Sequence, residues 1–232
     1  MTAAETDLLV LRDRLSSDRI GAIVTVLGPE GLERRGRIMS LEGDHALVRL
    51  FERLPLPTES HLSIALVQAL PKKEKMSFVI QKATELGVCS IHPCTSARST
   101  SPGDAGMSQD KSHRWSDVAR RAVDQSRRRA VPIVAATVGF REAIDSLSCL
   151  AALKLILYEK EHKARLKDVA AREFRPEAVV LACGPEGGFT EEEVAWAARN
   201  GFMPVSLGGR ILRCETAALA SLAIVQFVWG DL

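Results

Sequence analysis

From residue 60 onward, short apolar runs of strand length alternate with stretches of helical period, and this alternation limits the fold more than any other feature of the chain. Leu62–Gln68 is one such run. Met76, Val79, Ile80, Ala83 and Leu86 then recur at helical spacing, with Gly87 where a helix would end. Val88–Thr95 reads as the next strand. Helical patterns follow over 111–126, 139–147, 163–172, 190–200 and 215–229, separated by apolar runs at 131–135, 153–158, 178–183 and 203–207. A chain that alternates in this way builds a mostly parallel sheet with helices on both faces, so the expected class is α/β. Ser99–Gln109, with its proline and glycines, reads as a loop.

The first 57 residues differ. Ile20–Leu27, Leu32–Leu41 and His45–Phe51 are Val/Ile/Leu-rich runs punctuated by Gly28-Pro29-Glu30-Gly31 and Glu42-Gly43-Asp44, the pattern of a small antiparallel β-unit. Pro55-Leu56-Pro57 makes a plausible linker. A length of 232 residues is enough for one large domain or two small ones, at roughly 100–200 residues per domain. The expected division is a small β domain over 1–57 and an α/β domain over 58–232.

Several classes are disfavoured. Five cysteines, at 89, 94, 149, 183 and 214, form no CxxC pair and no even framework, which points to a reducing compartment. The start, Met-Thr-Ala-Ala-Glu-Thr-Asp, is acidic where a signal peptide is basic. The longest apolar stretch, near Ala217–Val225, falls far short of the ~18 residues of a membrane span. A soluble cytoplasmic protein with no membrane partner is expected. The 11 aromatic residues are too few for a binder built on rows of base-stacking rings.

The small net charge of +2 conceals two basic clusters. Residues 71–82 hold Lys72, Lys73, Lys75 and Lys82 against Glu74. Residues 111–130 hold Lys111, Arg114, Arg120, Arg121, Arg127, Arg128 and Arg129 against Asp117 and Asp124. Clustered Lys and Arg are the footprint of a phosphate-backbone binder, and a solvated helix face would carry the same residues. Lys72, Lys73, Lys75, Arg114, Arg120, Arg121, Arg127, Arg128 and Arg129 are the candidate phosphate contacts.

The sharpest local feature is Leu181-Ala-Cys-Gly184-Pro185-Glu186-Gly187-Gly188-Phe189-Thr190. An apolar strand ends in a glycine-rich turn, and Thr190 with Glu193 forms a capping-box pattern for the helix that follows. It is neither GxGxxG nor a Walker loop. Leu207-Gly208-Gly209-Arg210-Ile211-Leu212-Arg213-Cys214-Glu215-Thr216 repeats the design one unit later. Two glycine-bearing strand ends in consecutive units could flank one small-molecule pocket. Cys89, His92 and Cys94 have a metal-like spacing but no fourth ligand, so the core reading is preferred and no metal is expected. Cys214 beside Arg213 is read as structural rather than nucleophilic.

Taken in order, these segments resemble the RsmE family of ribosomal RNA methyltransferases, of the SPOUT superfamily. The matching stretches are Lys75-Met-Ser-Phe-Val-Ile-Gln-Lys-Ala-Thr-Glu-Leu-Gly-Val88, then Arg114-Trp-Ser-Asp-Val118 with Ala122, Gln125-Ser126 and Val131-Pro132. Gly184-Pro-Glu-Gly-Gly188 and Leu207-Gly-Gly-Arg-Ile-Leu-Arg-Cys-Glu-Thr-Ala217 complete them. The resemblance implies a C-terminal domain tied into a deep trefoil knot, an exception to the rule that connections do not thread. It also implies a small PUA-like β-barrel at the N-terminus that helps grip RNA, and a homodimer. The implied reaction is S-adenosylmethionine-dependent methylation of uridine N3 in small-subunit (16S) ribosomal RNA, so the partner is ribosomal RNA or the small subunit. Carried onto this chain, the donor pocket comprises Leu181, Gly184, Pro185, Glu186, Gly187, Gly188, Leu207, Gly208, Ile211, Leu212, Ala217 and Leu219. Arg213 is the expected stabiliser of the uridine anion, with Glu215 or Glu186 removing the proton.

The departures lie in the N-terminal part. It is shorter than is usual in the family, slightly acidic, and lacks a paired-histidine segment around His45 or His61. Cys214 stands where the family usually has Thr. A catalytically silent RNA- or donor-binding module, and a methyltransferase acting on transfer RNA, stay open as alternatives.

Overall fold

A computed structural model describes residues 8–11, 19–28, 30–43, 45–72, 75–99 and 114–232. The chain divides into two compact units, one of residues 1–59 with 120–131, the other of 60–119 with 132–232.

In the first unit, β1 (Leu8–Leu11), β2 (Ile23–Leu27), β3 (Glu33–Glu42) and β4 (His45–Arg53) form an antiparallel sheet in the order β1-β4-β3-β2. Alternation along β4 buries Ala46, Val48 and Leu50, which pack with Val24, Val26 and Ile38. Gly36 lies so close to Val48 that any side chain there would collide with it, which ties β3 to its register on β4.

Two carboxylates hold residues 127–130 within this unit. Glu33 accepts from the backbone N–H and hydroxyl of Thr58 at 2.7 and 2.6 Å, and from Arg129 Nε at 3.0 Å. Glu59 receives Arg128 NH2 at 2.6 Å and the backbone N–H groups of Arg129 and Ala130 at 2.9 Å each. Arg128 is 5% exposed.

The second unit carries a parallel sheet. Its strands are β5 (Ser63–Ala69), β6 (Ser90–Thr95), β7 (Ile133–Val134), β8 (Val138–Gly139), β9 (Leu153–Leu157), β10 (Ala178–Cys183) and β11 (Met203–Val205). The order is β11-β9-β10-β5-β6-β7, with β8 also on β6. The helices are α1 (Lys75–Glu85), α2 (Trp115–Ser126), which runs across the division between the units, α3 (Phe140–Ser148), α4 (Leu166–Ala170), α5 (Glu191–Arg199) and α6 (Cys214–Trp229). Among the described residues no helix is long and apolar enough to cross a membrane.

The expected α/β class is found, with several shifts of boundary. The strand expected over 131–135 shrinks to β7, with β8 a separate short strand beyond it, and the helix expected over 163–172 shrinks to α4. Arg165 bridges Ser206 as a short parallel pair, so the chain is extended just where the helical pattern should begin. Residues 100–109 of the expected loop and 111–113 of the expected helix lie outside the described residues.

The centre of the sheet is β5 and β10, hydrogen-bonded on both edges and almost wholly buried. After β9 the chain does not continue outward. It returns through β10 to sit beside β5, then crosses to β11 on the far side of β9. The carboxyl ends of β9, β10 and β11 are therefore neighbours at a reversal of strand order, where open α/β sheets place their ligands.

Candidate functional site

At those three strand ends lies a cavity of about 260 Å³. Leu157, Tyr158 and Glu159 follow β9, Gly184 to Gly188 follow β10, and Val205 to Gly208 with Arg210, Ile211 and Leu212 follow β11. Cys214 and Ala217 of α6 close it. Backbone contacts hold the walls. Tyr158 N–H donates to Val205 O at 2.9 Å, and Leu166 N–H and Ser206 O meet at 2.9 Å.

The turn after β10 depends on its glycines. Gly188 has φ +66, a left-handed conformation, and its N–H closes the turn onto Pro185 O at 2.9 Å. A Cβ on Gly188 would come within 2.8 Å of the Glu159 carboxylate. Thr190 then caps α5. Its hydroxyl accepts from Glu193 N–H while Glu193 accepts from Thr190 N–H, the reciprocal box expected from the sequence. Glu193 also accepts from Ala97 N–H at 2.7 Å, which ties the loop after β6 to the start of α5.

Ten of the twelve expected donor-pocket residues line the cavity: Gly184, Pro185, Glu186, Gly187, Gly188, Leu207, Gly208, Ile211, Leu212 and Ala217. Two do not. Leu181 lies mid-strand in β10, paired to β5 and β9 and fully buried in the sheet. Leu219 is two residues beyond Ala217, which on an α-helix turns it about 200° away from the cavity. Leu157, Tyr158, Glu159, Val205, Ser206, Arg210 and Cys214 line it without having been expected. Cys214 and Arg210 sit inside the motif already singled out, whereas the β9 residues could be found only from the strand order.

Glu186 and Glu215 are brought together by Lys75. The Lys75 ammonium, at the first turn of α1, lies 2.9 Å from Glu186 Oε1 and 3.2 Å from Glu215 Oε2. Glu186 also accepts from the backbone N–H of Lys72 at 3.1 Å through both oxygens, and the Cys214 thiol donates to Glu215 Oε2 at 3.1 Å. Burial pushes the Glu186 carboxyl up, but the Lys75 and Lys72 hydrogen bonds outweigh it and hold the group below its ordinary value. Glu215 is likewise held low against burial, by the Cys214 thiol, its own backbone N–H and Lys75. Burial and the neighbouring Glu215 carboxylate push the Cys214 thiol up to about 12, so it is a protonated hydrogen-bond donor and not a nucleophile. Arg213 is the N-cap residue of α6. It is exposed, its side chain caps nothing, and it does not line the cavity.

The basic clusters divide. Lys75 is engaged by two carboxylates, and Arg128 and Arg129 by Glu59 and Glu33, so these three candidate phosphate contacts lie in ion pairs within the chain. Their partners lie far away in sequence, which a local charge count cannot see. Lys72, Arg114, Arg120, Arg121 and Arg127 are exposed. Lys73 lies outside the described residues. Just before β6 the Cys89 thiol donates to Ile64 O at 3.0 Å; on β6 His92 bonds Ser90 at 3.0 Å, and burial pushes Cys94 up to about 12. Among the described residues no group of three His, Cys, Asp or Glu side chains is placed to hold a metal ion.

Residues 58–226 match the RNA methyltransferase domain family. A ribosomal RNA small subunit methyltransferase E from Synechocystis sp. is 34% identical over 182 residues, 78% of this chain and 59% of that relative's length. The chain thus spans less than two thirds of that relative's length. Among solved structures, a ribosomal RNA small subunit methyltransferase E from Neisseria gonorrhoeae bound to S-adenosyl methionine superposes with a TM-score of 0.72. It is 32% identical, and the match covers 100% of this chain and 96% of that one. A methyltransferase from Legionella pneumophila in complex with the same cofactor gives a TM-score of 0.69 at 32% identity, covering 98% and 94%.

Proposed function

The chain belongs to the RNA methyltransferase domain family, among its RsmE members, and from this premise we propose that it methylates N3 of a uridine in small-subunit ribosomal RNA with S-adenosylmethionine as donor. One observation carries the reading: a glycine-walled cavity at the reversal of strand order has two carboxylates gathered beside it. The residues present fit the donor. The walls are glycine turns, backbone groups, apolar side chains and the polar or charged side chains of Tyr158, Glu159, Glu186, Ser206, Arg210 and Cys214, without the lysine that a Walker-type loop places on a phosphate, and S-adenosylmethionine has no phosphate to hold. Bound there, it supplies a methyl group on a cationic sulfur that departs as a neutral thioether.

The chain's own residues handle the proton and the charge. Glu215 or Glu186 takes the proton from uridine N3, leaving the N–H electron pair on the ring to form the new N–C bond. Arg213, exposed beside the cavity-lining Leu212 and Cys214, offsets the negative charge that develops on the ring. Lys72, Arg114, Arg120, Arg121 and Arg127 contact RNA phosphates. The domain division expected from the sequence gives a PUA-like RNA-gripping part over 1–57 and a SPOUT part over 58–232, whose C-terminal segment forms the trefoil knot.

The working form is a cytoplasmic homodimer. Its support is the outer face of α6, where Ala220, Ala223, Ile224 and Phe227 form an i, i+3, i+4, i+7 stripe with Phe227 75% exposed. Incubation with labelled donor and small ribosomal subunits that lack the modification, followed by nucleoside analysis, should yield labelled N3-methyluridine. Label appearing only in transfer RNA, or donor binding with no transfer to any RNA, would overturn the assignment.

A further inference from the structure

Lys75, Glu186 and Glu215 come from three separate segments: the first turn of α1, the turn after β10 and the first turn of α6. The two carboxylates lie 111 and 140 residues from the lysine that joins them. One ammonium serves two carboxylates, and the three side chains are 25%, 26% and 18% exposed, so the cluster is neither dry nor open. Its charge does not balance. Among the described residues the groups facing Lys75 are Glu186 from the β10–α5 turn and Glu215 and Cys214 from α6, and the thiol is neutral, so these four groups carry a net charge of −1.

We propose that Lys75 is a positioning residue for methyl transfer: its ammonium gathers Glu186 and Glu215 beside the donor cavity and keeps both ionised, ready to take the uridine N3 proton. This rests on the reading of those carboxylates given above. Without the ammonium, two like charges would share one site, and such a pair retains a proton on one member. Glu215 receives both Lys75 and the Cys214 thiol on the same oxygen, Oε2. Lys75 itself is held above its ordinary value, chiefly by its hydrogen bond to Glu186, so it stays charged while the carboxylates change state.

The test is the pH profile of kcat for the full chain on small ribosomal subunits, with Lys75→Met, Lys75→Arg, Glu186→Gln and Glu215→Gln measured in parallel. In Lys75→Met the acid limb should move to higher pH by about one unit, so that kcat on that limb falls about tenfold at fixed pH. KM for the donor should change less than threefold. Lys75→Arg restores a cation and should return the limb to its wild-type position. An unmoved limb in Lys75→Met, with either glutamine variant impaired in kcat, overturns the role of Lys75 alone. Full kcat in both glutamine variants overturns the reading of the carboxylates and this proposal with it. Should the melting curve show that Lys75→Met fails to fold, Lys75→Gln, which is also neutral, is read by the same criteria.

Discussion

Two charge clusters, one in each unit, are built from similar residues and do different things. In the first unit two arginines meet two glutamates: Arg128 on Glu59 at 2.6 Å and Arg129 on Glu33 at 3.0 Å. Cation and anion balance, Glu33 is 7% exposed at its side chain, and the remaining carboxylate lone pairs receive backbone N–H groups and Thr58. In the second unit one lysine meets two glutamates beside a cavity, half-buried and with charge left over. A closed, balanced cluster locks chain segments together. An open, unbalanced one beside a cavity keeps a carboxylate available for chemistry.

Breaking each cluster should separate these roles. Glu59→Ala removes the carboxylate that lies 2.6 Å from the buried Arg128 guanidinium and should destabilise the protein by about 3 kcal/mol, read from denaturant melts. The partly exposed pair in the second unit should cost about 1 kcal/mol or less when Glu186 becomes Ala. Equal losses would erase the distinction.

Gly188→Ala probes the wall of the cavity rather than the charges. It forces a left-handed residue to carry a Cβ against Glu159, and should cost about 1–2 kcal/mol by thermal melting and weaken donor binding measured by calorimetry. Unchanged donor affinity would remove that turn from the binding site.

The arginines offer a sharper contrast. Reversing Arg120 and Arg121, both exposed on α2, should flatten the salt dependence of RNA affinity by about 0.7–0.9 log units per log unit of salt for each lost contact. Altering Arg128 should change stability and leave that slope in place. A slope that responds to Arg128 and ignores Arg120 and Arg121 would reverse the assignment.

The smallest effect is on the acid side of the stability curve. Glu186 and Glu215 are held below the ordinary carboxylate value of 4.5 in the folded chain. Their contribution is therefore present above that value and is lost as pH falls through the folded values. Wild type should lose more stability between pH 5 and 3 than the Glu186→Gln/Glu215→Gln double variant. Parallel curves would show that neither carboxylate is held low.

Legibility followed how local each signal was. β10 occupies 178–183, the run read from the sequence, because an apolar stretch bounded by Pro176 and Gly184 has few alternatives. The capping box at Thr190 was legible for the same reason: both partners lie within one turn. The helix over 163–172 was overstated because Ser206, 41 residues after Arg165, pairs with that residue's backbone. Leu219 stays off the cavity wall because of helix geometry that the sequence already contained.

The sequence by itself determined the alternation that makes a parallel sheet, the two glycine turns and the order of motifs that places the chain in its family. Each of these depends on backbone preference or side-chain period within a few residues. Only the tertiary structure decided that Leu157–Glu159 complete the cavity, that Lys75 belongs to Glu186 and Glu215, and that Glu33 and Glu59 close over Arg128 and Arg129. Strand order and long-range ion pairing arise when the whole chain packs, and a charge acquires its role from the partners that packing brings within 3 to 4 Å.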